Sequence, residues 1–122
     1  MKEKFLILGG LLAAATVALG AFGAHGLKSI LDPASLATFE TAVRYQMYHS
    51  IALCLCGIVP SERPGRVLVS AALFLAGIFF FCGSLYIIIF TGVRQFGAVA
   101  PLGGLSFIAG WIVFALAAFK AK

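Results

Sequence analysis

Long apolar runs broken by short charged or turn-forming stretches set the pattern of this chain. Phe5–Ala24 holds 20 residues without a charged side chain, enough to cross the roughly 30 Å hydrocarbon core at about 1.5 Å per helical residue. No charge falls between Arg66 and Arg94, or between Arg94 and Lys120, which predicts further spans near Val67–Thr91 and Pro101–Phe119. The remaining stretch is less direct, because Ile51–Val59 is apolar but too short to cross alone. Asp32-Pro33 supplies an N-cap acceptor followed by proline at the first helical position, and Pro60 supplies a stop. One helix from Pro33 to Val59 is therefore expected, and counting back about 20 residues from Val59 places its membrane boundary near Glu40. The predicted fold is all-α: an integral membrane four-helix transmembrane bundle, one domain over residues 1–122, with spans at about 5–24, 40–59, 67–91 and 101–119. No internal repeat or broken-helix symmetry of a transporter half is visible.

The basic head MKEK and the small residues near Ala24 also fit a secretory signal. The length of Phe5–Ala24 favours a retained span instead.

Composition sharpens this picture. Of 122 residues, 62% are hydrophobic and 13 are charged, nine basic and four acidic, far below the roughly 25% charge of soluble domains. The net charge of +5 has no basic stripe or aromatic RNA-binding motif beside it, so nucleic acid is not an expected partner. Membrane topology accounts for it better. Four spans collect Lys2, Lys4, Arg63, Arg66, Lys120 and Lys122 on one side and leave Lys28, Arg44 and Arg94 on the other. That bias predicts both termini in the cytoplasm of a cell-membrane protein, with Gly20–Leu27 at the outer face. Cys54, Cys56 and Cys82 lie in apolar surroundings, with neither a disulfide framework nor a zinc spacing.

Candidate chemistry concentrates in the second helix. Arg44, Gln46 and His49 fall within the membrane's thickness, His49 about 15 Å and Arg44 about 22 Å from the Val59 end. Glu40 and Arg44, four residues apart, share a face and suit an ion pair, with Tyr48 one turn further on. One reading makes the pair an interfacial anchor. The other makes Glu40, Arg44 and Tyr48 the wall of an outward polar pocket, completed by His25 and by Arg94 or Gln95. His49 is expected to bond a neighbouring helix, at Ser84, Tyr86 or Ser106, unless it relays protons. The two histidines raise a haem or metal site, but their different depths argue against one, and no cofactor or metal is expected. Gly20–Gly26 lacks the strand-to-helix setting of a dinucleotide site, and its glycines are expected to end the first helix. Gly9, Ala13, Gly20 and Ala24, with Gly103, Gly104 and Gly110, suit close helix packing. The stretch Pro101–Phe107 suits a contact between the first and fourth helices or a ligand-facing loop, and Trp111, near mid-span, reads as packing.

Four blocks, ALGAFGAHGL (18–27), FETAVRYQMYHSIAL (39–53), FLAGIFFFCGSLY (74–86) and PLGGLSFIAGW (101–111), together resemble the domain of unknown function 423 family of small membrane proteins. The resemblance covers most of the chain in the expected order and implies four transmembrane helices in an inner or plasma membrane, with no established activity. The family pattern falls here on Gly23, His25, Tyr45, Gln46, His49, Gly83, Ser84, Tyr86, Pro101, Gly103 and Gly104.

The function expected from these residues is non-enzymatic: binding or passage of a small solute or lipid through a polar cluster in the outer half, at His25, Glu40, Arg44, Gln46, Tyr48, His49 and Arg94. Four helices rarely enclose a path, so passage implies a homo-oligomer, and membrane lipid is the expected surrounding partner. Two rivals stay open. One is an enzyme or redox subunit using His25, Glu40 and His49, although no nucleophile with its base or paired carboxylates is visible. The other is an assembly partner for a second membrane protein.

Overall fold

A computed structural model describes residues 2–120, and Lys122, counted above among the inner basic residues, lies outside them. Among the described residues the chain is all-helical, and three helices are long and apolar enough to cross a membrane: Lys2–Leu27, here α1, Pro64–Thr91, α3, and Arg94–Leu116. The last is a 3-10 segment, Arg94–Ala98, leading into α4, Ala100–Leu116. Between α1 and α3 lies α2, Pro33–Ile58, whose polar residues keep it out of that apolar class.

Each boundary has a local cause. Pro33 opens α2 behind an extended Asp32 (φ −66°, ψ 161°), but the Asp32 side chain makes no capping hydrogen bond. The expected acceptor role is therefore not used, and proline's preset φ starts the helix. Pro60 forces the residue before it out of the helical region, and Val59 is extended at φ −70°, ψ 127°. The glycines of Gly20–Gly26 do not end α1 as expected. The helix widens into a π turn over Gly23–Leu27 and closes only where the Ile30 and Leu31 amides bond the Leu27 carbonyl at 3.0 and 2.9 Å. The left-handed cap sits elsewhere, at Gly92 (φ 73°, ψ 7°), whose amide bonds the Ile88 carbonyl and ends α3, a conformation open to glycine because it lacks a Cβ. A second π turn, Ile78–Cys82, interrupts α3.

Small residues set the packing. A Cβ on Gly9 would lie 2.6 Å from the Cys54 sulfur and 2.7 Å from the Ser50 carbonyl, and one on Gly57 would lie 2.7 Å from Leu6. Glycines from both partners thus bring α1 and α2 into backbone contact. Gly103 and Gly110 meet Phe81 and Phe74, so α4 packs on α3 through these glycines rather than on α1 as expected.

Hydrophobic cores occupy both halves. One gathers Leu53 and Cys56 of α2, Val67 and Phe74 of α3 and Ala117, flanked by Phe5, Leu12 and Phe114. The other joins Ala42, Cys82 and Phe107. Lys2 Nζ donates to the Val59 carbonyl at 3.0 Å, Arg66 to the Leu116 carbonyl at 2.8 Å, and Arg63 to the carbonyls of Phe119 and Lys120 at 3.1 and 3.2 Å. The N-terminus, the α2–α3 loop and the C-terminal segment therefore share one end. Arg66 there reaches the last carbonyl of α4, the end of a helix at which a cation is favoured.

Candidate functional site

Helix α2 carries the polar residues, and they do not converge on one pocket. The inward face holds Gln46, which bridges three helices. Its Oε1 accepts from the Tyr86 hydroxyl of α3 at 2.8 Å, and its Nε2 donates to Thr16 Oγ1 of α1 at 2.8 Å. Thr16 Oγ1–H in turn donates to the Leu12 carbonyl at 2.6 Å. Thr16 and Gln46 are 1% and 6% exposed, so the chain from Tyr86 to Leu12 is a closed internal relay in which every polar atom has a partner. The expectation of an outer polar pocket gives Gln46 a ligand-facing place; the structure gives it an interhelical one. Thr16 was not legible as its partner, since a single threonine in an apolar run looks like any small packing residue.

One turn below, His49 is buried between α2 and α4. Its Nδ1–H donates to the Tyr45 carbonyl at 2.7 Å, and its Nε2 accepts from Trp111 Nε1 at 3.1 Å. Those two bonds select the neutral Nδ1–H tautomer. The ring stacks on Phe107 with centroids 3.6 Å apart. The partner is thus Trp111, not Ser84, Tyr86 or Ser106. Ser84 instead bonds the Phe80 carbonyl of its own helix, and Ser106 bonds the Leu73 carbonyl at 2.7 Å. Trp111 is correspondingly more than packing: it holds His49 while staying 39% exposed.

Beside this pair runs an aromatic groove of about 800 Å³. Tyr45, Tyr48 and His49 of α2 form one wall, Phe107 and Trp111 of α4 the other, and Phe81 contributes from α3. The π turn of α3 contains Phe81, whose ring lies 4.9 Å from Tyr45 and 5.7 Å from Phe107. Gly104 also lines the groove, with open space where a Cβ would stand. Tyr48 is 52% exposed and belongs to this apolar groove, not to a polar pocket with Glu40.

A smaller cleft of about 240 Å³ lies on the α1 side of α2, lined by Glu40, Val43 and Arg44 opposite Gly20, Gly23 and Ala24, with Phe39. The expected Glu40–Arg44 ion pair is not formed among the described residues. Arg44 turns to Thr41 Oγ1 at 3.4 Å, and both charged groups are exposed. His25, on the π turn, and Arg94, on the 3-10 segment, are exposed and line neither recess. The structure therefore joins Glu40 with Arg44 and Tyr48 with His49, and leaves His25 and Arg94 apart.

Apolar helices of membrane-crossing length, with polar side chains paired inside, define a transmembrane protein. The chain belongs to the family described as "Protein of unknown function (DUF423)", which it matches over residues 19–104. It is 44% identical over 118 residues to the UPF0382 membrane protein SAB0533 of Staphylococcus aureus (strain bovine RF122 / ET3-1), a match covering 97% of each chain. It is 42% identical over 120 residues to the UPF0382 membrane protein YwdK of Bacillus subtilis (strain 168), covering 97% of this chain and 98% of that one. No solved structure matches the chain.

Proposed function

We propose that the protein is a non-enzymatic four-helix transmembrane bundle of the cell membrane that binds the hydrocarbon part of a membrane amphiphile in the groove between α2 and α4. All four helices cross, with both termini cytoplasmic. The end holding Lys2, Lys4, Arg63, Arg66 and Lys120 is the inner one, in keeping with the bias of basic residues. Helix α2 crosses because its neighbours cover Gln46 and His49, polar groups set deep in the bilayer. The observation that carries the binding reading is the groove itself. Its volume falls within the roughly 300–1,000 Å³ of ligand sites, its walls are mainly aromatic, and the polar atoms of its one histidine are already paired. A hydrocarbon chain fits such a surface, since it asks for no hydrogen bond and gains contact on every wall.

The test is photocrosslinking with a phospholipid carrying a diazirine in its acyl chain, in vesicles, followed by peptide mapping. Labelling should concentrate on Tyr45, Tyr48 and Trp111 and fall sharply in Gly104→Leu, where the new side chain enters open groove space. Labelling spread evenly over exposed positions outside the groove such as Leu11, Val17 and Phe79, and unchanged by Gly104→Leu, sinks the reading.

A further inference from the structure

Glu40 and Arg44 sit at the spacing at which helical side chains of opposite charge normally pair, yet neither neutralises the other. Arg44 Nη2 makes only a 3.4 Å contact with Thr41, and both charged groups line one cleft of about 240 Å³. The opposite wall, from α1, is nearly free of side chains: Gly20, Gly23 and Ala24. Gly23 has its own reason to be small, because a Cβ there would strike the Phe39 ring. Ala24 is exposed, so the cleft opens at the surface. Counting from Val59 at about 1.5 Å per residue, Arg44 stands about 22 Å and Glu40 about 28 Å along α2, near the edge of a roughly 30 Å hydrocarbon core. Glu40 thus stands at the headgroup boundary, and Arg44, about one turn inside it, reaches that boundary by snorkelling. The apolar groove lies on the other side of α2, so this cleft is a separate recess that rests on the proposed crossing of α2 but not on the groove reading.

We propose that the cleft binds a zwitterion in which a phosphate and an ammonium are joined by a short linker, the chemistry of phosphoethanolamine. The guanidinium takes the phosphate through paired N–H donors, the geometry in which arginine is strongest. The carboxylate takes the ammonium. A simple anion is disfavoured by Glu40 and a simple cation by Arg44, so the pair of charges selects a ligand carrying both. The ligand comes either from the headgroup of a phosphatidylethanolamine in the surrounding leaflet or from free phosphoethanolamine.

Native mass spectrometry of the full chain in detergent, titrated with phosphatidylethanolamine and with phosphatidylglycerol of matched acyl chains, tests this. The wild-type protein should prefer the ethanolamine lipid. Arg44→Gln and Glu40→Gln, both changes of exposed side chains, should each weaken its binding by roughly ten-fold or more, the loss of at least one charge-assisted hydrogen bond. Gly104→Leu should leave the preference intact. Competition by free phosphoethanolamine identifies a site that recognises the headgroup alone, and binding of the lipid without such competition identifies a membrane-lipid site; both support the assignment. Equal binding of the two lipids overturns it, as does a preference that survives both Gln variants. A preference lost only in Gly104→Leu places headgroup recognition in the groove and also overturns it.

Discussion

Replacing Gln46 by leucine removes the middle of the Tyr86–Gln46–Thr16 relay with little change in side-chain bulk. Two hydrogen bonds of 2.8 Å are lost. Thr16 keeps its bond to the Leu12 carbonyl, so the Tyr86 hydroxyl is the group left stranded. Hydrogen bonds between membrane helices contribute about 0.6 kcal/mol on average and up to about 1.7, so two of them amount to about 1–3 kcal/mol. The added apolar surface of leucine offsets part of this. A net destabilisation of about 1–2 kcal/mol is expected, a factor of roughly 5–30 in the unfolding equilibrium. The assay is reversible unfolding in bicelles by steric trapping, run as a double-mutant cycle with Tyr86→Phe. In the wild-type background Tyr86→Phe should cost about 0.6–1.7 kcal/mol; after Gln46→Leu it should cost nothing, or even relieve the stranded hydroxyl. Fully additive effects in that cycle would refute the relay, because independent sites add and coupled ones do not. A Gln46→Leu protein as stable as the wild type would refute the estimate as well.

Two further outcomes follow from packing. Gly9→Ala places a methyl against Cys54 and Ser50 and should destabilise the α1–α2 contact by about 1–3 kcal/mol, whereas Gly10→Ala, with nothing within 4 Å of the new atom, should be neutral or stabilising by up to about 1 kcal/mol; thermal unfolding of the two variants side by side reads the difference. Maleimide labelling of the folded protein in detergent should proceed first at Cys54, which is only partly buried, with Cys56 and Cys82, at 0% and 1% exposure, reacting only as the protein unfolds; rapid labelling of Cys82 in folded protein contradicts the packing of α3 against Ala42.

The helices were legible where one property decides them. Charge-free runs of membrane length predict α1, α3 and α4 because solvation by lipid needs little more than length and apolarity. The start of α2 was legible through Pro33, and its end through Pro60, since proline acts on its own neighbours. The site was less legible, because it depends on which residues face each other. Glu40 and Arg44 share a face by spacing alone, but spacing does not say whether they bond each other or flank a cleft. His49 was expected to find a partner on another helix, but Trp111 as that partner requires the rotation of α4 about its axis. The π turn that carries Phe81 leaves no mark in the residues Ile78–Cys82, which read as ordinary apolar helix. Gly92 was passed over among more conspicuous glycines, although it is the one described residue with positive φ.

On the four-span reading proposed above, α2 enters a bilayer at a disadvantage when it is alone. Arg44, toward the outer edge, costs less than the about 2.5–3.5 kcal/mol of an arginine at the centre of an inserting helix, but Gln46 and His49 add unpaired polarity until Thr16, Tyr86 and Trp111 are in place. Its partners are split by chain order. Thr16 precedes α2 and is already made when α2 emerges from the ribosome, while Tyr86 and Trp111 are still to come. On that reading biogenesis has a vulnerable interval between synthesis of α2 and arrival of α3 and α4. During that interval α1, docked through Gly9 and Gly57, is the neighbour that shelters the nascent polar face.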